Sequence, residues 1–327
     1  MIGLLRLDEV PVETWDALLA RQSFPSPFLS RRFLLPWHRA FGGGCDARVA
    51  RWTAPDGAVD GLLFLCRQHS GGWAFLGSEQ VADYLDAIVT PGREEPFWRE
   101  FLSEGLAALG GGPLKLPGLV EGAPTLAVLP RLCSETGRSC TVEEMDRAPH
   151  VPLPGSFEAY LGRLGKKERH ELRRKMRRAA DTLPGLSLRV TRTAGDLARD
   201  LPSFLSLHRG SHPAKEKFMD DRMAEFFREV AEGFLAEGTL RLAFLSGDGG
   251  DFASVFQFRT DRSLLLYNSG YDPAMRSANP GLVLIARCIE QAMAEGAPEY
   301  DFLRGTERYK YDLGGIDRIV YRVTVAR

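Results

Sequence analysis

Gly247-Asp248-Gly249-Gly250 separates two apolar runs, 239–245 and 252–258. Four turn-forming residues between two such runs are a strong hairpin signal. A third run at 263–267 extends the hairpin into an antiparallel meander. The pattern before it predicts a strand at 186–191 and helices at 194–208 and 220–236. After it come a loop, a helix at 280–295 stopped by Gly296, and strands at 300–303 and 319–325. The first half reads as a looser version of the same order, with strands at 4–7, 47–52, 58–68 and 84–89 and helices at 12–21, 30–41 and 94–109. The fold class expected is therefore α/β (α+β), with mixed, mostly antiparallel sheets flanked by helices.

A chain of 327 residues is long enough for two domains. The segment 142–155 (VEEMDRAPHVPLPG) carries three prolines and a glycine, which marks it as the junction between domains at 1–150 and 151–327. The 42 basic and 43 acidic residues give a net charge of −1, which argues against global attraction to nucleic acid or membrane. Between 163 and 178, however, nine basic residues face only Glu168 and Glu171. With Ser156 as N-cap and Pro184-Gly185 as stop, this region predicts one amphipathic helix over 157–183. Its apolar stripe runs through Phe157, Leu161, Leu164, Leu172, Met176 and Ala179, and Glu168 in that stripe is expected to pair with a nearby Lys or Arg. The opposite face, with Arg169, Arg173, Arg174 and Arg177, is either a polyanion-binding surface or a solvated charged face.

Five scattered cysteines without a CxxC pair suggest free thiols, neither a disulfide framework nor a metal site. No run approaches the roughly 18 apolar residues of a membrane span, and Asp8 and Glu9 interrupt the N-terminus, so a cytoplasmic protein is expected.

The segment YNSGYDPAMRSANPGLVLIARCIEQAMAEGAPEYDFLRGTERYKYDLGG, beginning at Tyr267, resembles the hallmark stretch of the CelD/FemAB-like acyltransferases of the GNAT (N-acetyltransferase) superfamily. The basic run from Lys166 to Lys175 and the pattern from Phe204 to Arg209 are similar to that family as well, as are FLSRRFLLPWHRAFG (28–42) and FLGSEQVADYLDAIV (75–89). The resemblance implies two tandem GNAT-like domains, the first degenerate, with the active cleft in or beside the second. It implies acyl-CoA, such as acetyl-CoA, as donor and an amine or hydroxyl on a polar envelope-related acceptor (a sugar, lipid or peptidoglycan precursor). Aminoacyl-tRNA is the alternative donor, although Pro184 follows the basic helix where FemAB proteins carry a coiled-coil arm. A non-catalytic polyanion binder is the alternative outside enzymes.

GNAT enzymes hold the donor pyrophosphate on the N–H groups of a strand-to-helix turn, R/Q-x-x-G-x-G/A. The matching residues are Arg276, Asn279 and Gly281, with Asn279 in place of the middle glycine. Asn tolerates left-handed backbone and Pro280 suits a first helical position; without the family, the same stretch is simply a good helix start. A second constellation lies in DFLRGTERYK. Lys310 matches the family's charge-stabilising lysine, Glu307 or Asp301 is positioned to take the amine proton, and Tyr309 to return one. An Asp301–Arg304 ion pair and a packing role for Tyr309 are the structural alternatives. Arg304, His208, Asp83 and Asp86 are substrate-binding candidates, against packing for His208 and capping for the two aspartates.

Overall fold

The computed structural model describes residues 1–326 except Ser70, Ser78 and Glu79. Those three and Arg327 lie outside the described residues, which removes two positions of the FLGSEQVADYLDAIV stretch. The chain divides into two compact units, Met1–Arg147 with Arg318–Arg327, and Ala148–Asp317.

Along the first unit run β1 (Ile2–Leu5), α1 (Val12–Ala20), α2 (Arg31–Phe41), β2 (Ala47–Thr53), β3 (Val59–Arg67), β4 (Trp73–Phe75) and β5 (Ile88–Val89). Then come α3 (Glu94–Glu100), a π-helical turn into α4 (Leu106–Ala108), β6 (Leu114–Val120), α5 (Pro124–Glu135) and β7 (Ser139–Pro152). The second unit contributes α6 (Phe157–Arg163), α7 (Lys166–Thr182), β8 (Ser187–Val190), α8 (Ala194–Gly210), α9 (Pro213–Phe218) and α10 (Asp221–Ala236). It continues with β9 (Leu240–Gly247), β10 (Gly250–Arg259), β11 (Leu264–Tyr271), α11 (Pro280–Ala294), β12 (Glu299–Asp301) and α12 (Arg308–Asp312), and β13 (Ile316–Ala326) ends the chain.

Each unit is a mostly antiparallel sheet flanked by helices. In the first, the strands run β1-β2-β3-β4-β6-β13, with β4 and β6 parallel. In the second, the order β8-β9-β10-β11-β12 is completed by the 148–152 end of β7, with β11 and β12 parallel. The two orders match strand for strand. The expected hairpin is present, with Gly250 opposite Gly247. One face of the second sheet packs Phe256 against Phe204 and Phe227, and the other packs on Val283, Leu284 and Ile289 of α11. Burying each such ring or aliphatic side chain is worth about 1.5–3 kcal/mol, and this anchors α8 and α11 on opposite faces.

Several expectations need correcting. The single helix over 157–183 is two, because Leu164 is extended (φ −68°, ψ 149°) and buries its side chain in the core while Gly165 starts α7 afresh. Glu168 makes no ion pair among the described residues; its carboxylate lies over Gly165 at the start of α7, where the helix dipole favours negative charge. The Pro-rich junction is strand β7 as far as Pro152. A proline is tolerated where its missing N–H is not needed, and Pro149 takes part through its carbonyl, which accepts from Phe302 N at 2.9 Å. The last strand, read with the second half, pairs antiparallel with β6 (Val320 opposite Val120) and so belongs to the first unit. Only Ile88–Val89 of the 84–89 run is strand. Cys45 and Cys66 form a disulfide where free thiols were expected: 21 residues apart in sequence, they lie 5.9 Å apart between Cα atoms because β2 and β3 pair. Cys133, Cys140 and Cys288 are free. Among the described residues no helix is long and apolar enough to cross a membrane.

Candidate active site

In the second unit β11 and β12 pair at only two positions, Leu264 opposite Tyr300 and Leu265 opposite Asp301. β12 then ends, while β11 continues to Tyr271. A bulge at Tyr267, between the Phe256–Asn268 and Gln257–Leu266 pairs, bends β11 just beyond that point. The edge of β11 away from β10 is therefore, after Leu265, without a strand partner among the described residues and borders the loop that follows β12.

That loop is tightly held. Leu303 has φ +55°, a left-handed conformation that a bulky side chain rarely adopts. The buried Asp301 carboxylate accepts from Leu303 N at 2.7 Å. The Lys310 ammonium, 2% exposed, donates to the carbonyls of Leu303 (3.1 Å), Arg304 (2.7 Å) and Gly305 (3.1 Å) and pairs with Glu307 at 2.9 Å. With three N–H bonds shared among four acceptors, Lys310 holds the loop and has no donor left for an oxyanion. Asp301, likewise enclosed, is a loop anchor and is not placed to take a substrate proton. Glu307 remains the exposed carboxylate of the loop. Tyr309 is half-buried with its ring edge-on to Phe302, and its hydroxyl has no hydrogen-bond partner among the described residues. Burial, reinforced by Glu307, raises its phenol above the ordinary value and keeps it protonated at neutral pH.

The turn expected to hold the donor, Arg276 to Gly281, lies between β11 and α11. Asn279 is left-handed (φ 53°, ψ 47°), the conformation a glycine would take there. Its side chain turns back to the Ser277 carbonyl (3.2 Å) and does not cap α11. Pro280 brings no N–H, so Gly281 and Leu282 present the first free amides of a 15-residue helix. A Cβ at Gly281 would meet only the Tyr271 side chain, at 3.7 Å or more, so the protein's own packing does not demand glycine at this position. Arg276 is exposed beside it. Helix α7 packs along α11 and the 273–278 turn. Between them lies a cavity of about 350 Å³ that also reaches α12; its lining includes Leu282, the cations Lys167, Lys175 and Arg308, and the carboxylates Glu168, Glu171 and Asp312, with Lys175 3.8 Å from Glu171 and Arg308 3.7 Å from Asp312.

The nine basic residues of 163–178 are partly neutralised. Arg173 pairs with Glu158 (2.7 Å), Arg174 with Glu171 (2.6 Å), and Lys175 is 3.8 Å from Glu171. Arg169 reaches the Gly162 carbonyl at 3.5 Å. Lys166, Lys167, Arg177 and Arg178 have no acidic partner among the described residues.

His208 is 1% exposed; its Nε2 is 3.0 Å from Asn268 Oδ1, and its Nδ1 has no partner among the described residues. Burial, with the Lys215 charge, pushes its pKa down to about 4, so it is neutral at pH 7 and cannot hold an anion by charge. Gly270 lets α8 approach this closely, since a Cβ there would come 2.6 Å or less from backbone atoms of 207–208. Asp86, in the first unit, is occupied: Thr125 Oγ1 and Ala87 N both donate to it, and Trp98 in turn donates to Thr125. Burial pushes its carboxyl up to about 7. Asp83 is half-buried in the same stretch.

Two groups escaped the sequence reading. Lys215 of α9 donates to Ser269 O at 2.6 Å, burial lowers its pKa, and it feels the charge of Glu307 from the loop after β12. Asn268 is the partner of His208. A single lysine in a polar stretch carries no sequence signal of this kind, although Gly270 does mark the close helix approach nearby. Among the described residues no group of three or more His, Cys, Asp or Glu is placed to hold a metal.

Residues 166–311 match the acetyltransferase (GNAT) domain family. No match is found among curated protein sequences. Among solved structures, FemX superposes with a TM-score of 0.64 at 12% identity, covering 98% of this chain and 96% of that one. The C-terminal domain of the protein named as a lysylphosphatidylglycerol synthetase in Agrobacterium fabrum gives 0.62 at 13% identity, covering 96% and 90%. A tandem GNAT protein from the clavulanic acid biosynthesis pathway gives 0.51 at 16% identity, covering 99% and 98%. The fold is that of the GNAT-type acyltransferases, and the second unit carries the stretch that matches their domain.

Proposed function

We propose that this chain is a GNAT-type N-acyltransferase that moves an acyl group from acyl-CoA to an amine or hydroxyl of a polar, envelope-related acceptor: a sugar, a lipid or a peptidoglycan precursor. The observation that carries the reading is the uncapped start of α11 behind left-handed Asn279, opening beside a cavity whose walls mix Lys167, Lys175 and Arg308 with Glu168, Glu171 and Asp312 and leave Lys167 without an acidic partner among the described residues. Free amides at a helix N-terminus with a cation nearby suit a pyrophosphate, and exposed Arg276 lies in the turn that leads into this helix. The acceptor nitrogen or oxygen attacks the thioester carbon along the unpaired edge of β11, and a C–S bond is exchanged for a C–N or C–O bond. Glu307 takes the proton released by the acceptor, and the Tyr309 phenol, held protonated, supplies one to the departing thiolate. Lys310 and Asp301 keep this loop in place, and Arg304 contributes its carbonyl to the same arrangement. A lipid acceptor is in keeping with the name of the Agrobacterium neighbour, and donors of this type are made in the cytoplasm, where the reading puts the protein.

An aminoacyl-tRNA donor is the second reading, favoured by the four unpaired cations of α7. Against it, α7 is followed by Pro184 and β8, with no second arm helix. A thermal-shift titration with acetyl-CoA, longer acyl-CoAs and tRNA decides between them, because a ligand bound only to the native state raises its melting temperature. Stabilisation by a CoA thioester supports the first reading, and stabilisation by tRNA alone replaces it. Stabilisation by any polyanion, without turnover of an acyl donor, makes the chain a polyanion binder.

A further inference from the structure

Lys310, the lysine that matches the family stretch, is enclosed by loop carbonyls, so the charge that develops during acyl transfer needs another partner. We infer that Lys215 is that partner: it is the cation that meets the carbonyl oxygen of the donor's acyl group at the unpaired edge of β11. This deepens the acyl-CoA reading above and rests on it.

Three observations converge on Lys215. Its Nζ donates to Ser269 O at 2.6 Å, four residues past the last β11–β12 pair and so within the stretch of β11 that β10 still pairs on one side but β12 no longer pairs on the other. Ser269 O is its only hydrogen-bond partner among the described residues, and it has no carboxylate within 4 Å, so two of its three N–H bonds are available. It is half-buried, and the charge of Glu307 acts on it against the burial that lowers its pKa; the same carboxylate acts on the Tyr309 phenol, so both groups lie within the electrostatic reach of Glu307. A donor fixed in advance in a poorly hydrated site stabilises developing charge far better than one in water.

The chemistry balances with the groups present. The acceptor's lone pair forms the new bond to the thioester carbon, and the carbonyl π pair moves onto oxygen, where Lys215 Nζ–H donates to it. The pair returns as the C–S bond breaks, and the sulfur leaves with its electrons. Glu307 holds the proton lost by the acceptor, and Tyr309 gives one to sulfur and is reprotonated by Glu307 through solvent. Lys215 stays an ammonium throughout.

The test uses the whole chain with acetyl-CoA carrying ¹³C at the thioester carbonyl, read by difference infrared spectroscopy. The bound carbonyl band is expected at lower wavenumber than the free one in the parent. It should return to the free position in Lys215→Met, with acetyl-CoA stabilisation retained. Lys215→Arg, which keeps a cationic donor, should show an intermediate band and serves where Lys215→Met does not fold. With an acceptor in hand, Lys215→Met should lower turnover by on the order of 10²-fold with little change in donor affinity. An unshifted band in the parent, or the same shift in a folded Lys215→Met, overturns the role of Lys215 and leaves the acyl-CoA reading standing. Absence of any acetyl-CoA stabilisation of the parent overturns that reading, and the inference falls with it.

Discussion

Asp301 and Lys310 grip the same residue from opposite sides: the carboxylate takes the N–H of Leu303 at 2.7 Å and the ammonium takes its carbonyl at 3.1 Å. A branched residue at positive φ costs of order 1–3 kcal/mol. These two buried side chains hold it there, and with it the direction in which Glu307 and Tyr309 leave the end of β12.

Replacing Lys310 therefore acts on stability as well as on rate. Lys310→Met should leave three carbonyls without their donor and lower stability by about 2–4 kcal/mol, since each group left unsatisfied costs roughly 1–3 kcal/mol and some reach water. Chemical denaturation measures this directly. A melting curve equal to the parent's, combined with a large loss of turnover, would return Lys310 to a direct part in the chemistry.

Gly281→Asp separates ligand binding from folding. The added Cβ makes only ordinary contact with Tyr271, so the parent's melting temperature should survive, while the carboxylate occupies and repels the place of a phosphate. Acetyl-CoA should stabilise the parent and not this variant. Equal stabilisation of both would move the donor site elsewhere.

On the basic helix the ion pairs decide which residues matter. Changing Lys166, Lys167, Arg177 and Arg178 together to Gln should flatten the salt dependence of polyanion binding, by a slope of up to about 0.7–0.9 for each lost phosphate contact. Arg173→Gln with Arg174→Gln should change the slope little, because both are already paired. Identical slopes in the parent and the fourfold variant would mean that this face is only solvated.

Asp86 predicts a pH signature for the first unit. Its folded pKa of about 7 lies above the usual carboxylate value of 3.8, so the native state binds a proton that the unfolded chain has released. That contribution to stability is fully present below about pH 4 and is lost progressively as pH rises through 7. Melting temperatures from pH 4 to 8 should fall more steeply for the parent than for Asp86→Asn. Parallel curves would show that the carboxyl is ionised in the native state across this range.

What the sequence alone determined follows from physics that acts between near neighbours. Gly247-Asp248-Gly249-Gly250 makes its hairpin, Asn279-Pro280-Gly281 starts its helix from a left-handed residue, and the periodicities of 194–208, 220–236 and 280–295 become α8, α10 and α11 with ends within two residues. The resemblance in 267–316 points to the loop that the structure builds after β12. What only the tertiary structure decided depends on residues distant in the chain. β13 completes the first sheet against β6 across about 200 residues, β7 runs through its prolines as it pairs with β12, with the Pro149 carbonyl accepting from Phe302 N just beyond that strand, and Cys45 meets Cys66 because two strands pair. The same holds for charge. Whether a lysine is engaged or available depends on which backbone carbonyls surround it, and that separates Lys310, enclosed by 303–305, from Lys215, which has one carbonyl on β11. Composition and spacing record that both are lysines, but only folding brings acceptors to them, because hydrogen-bond satisfaction is a property of positions in space.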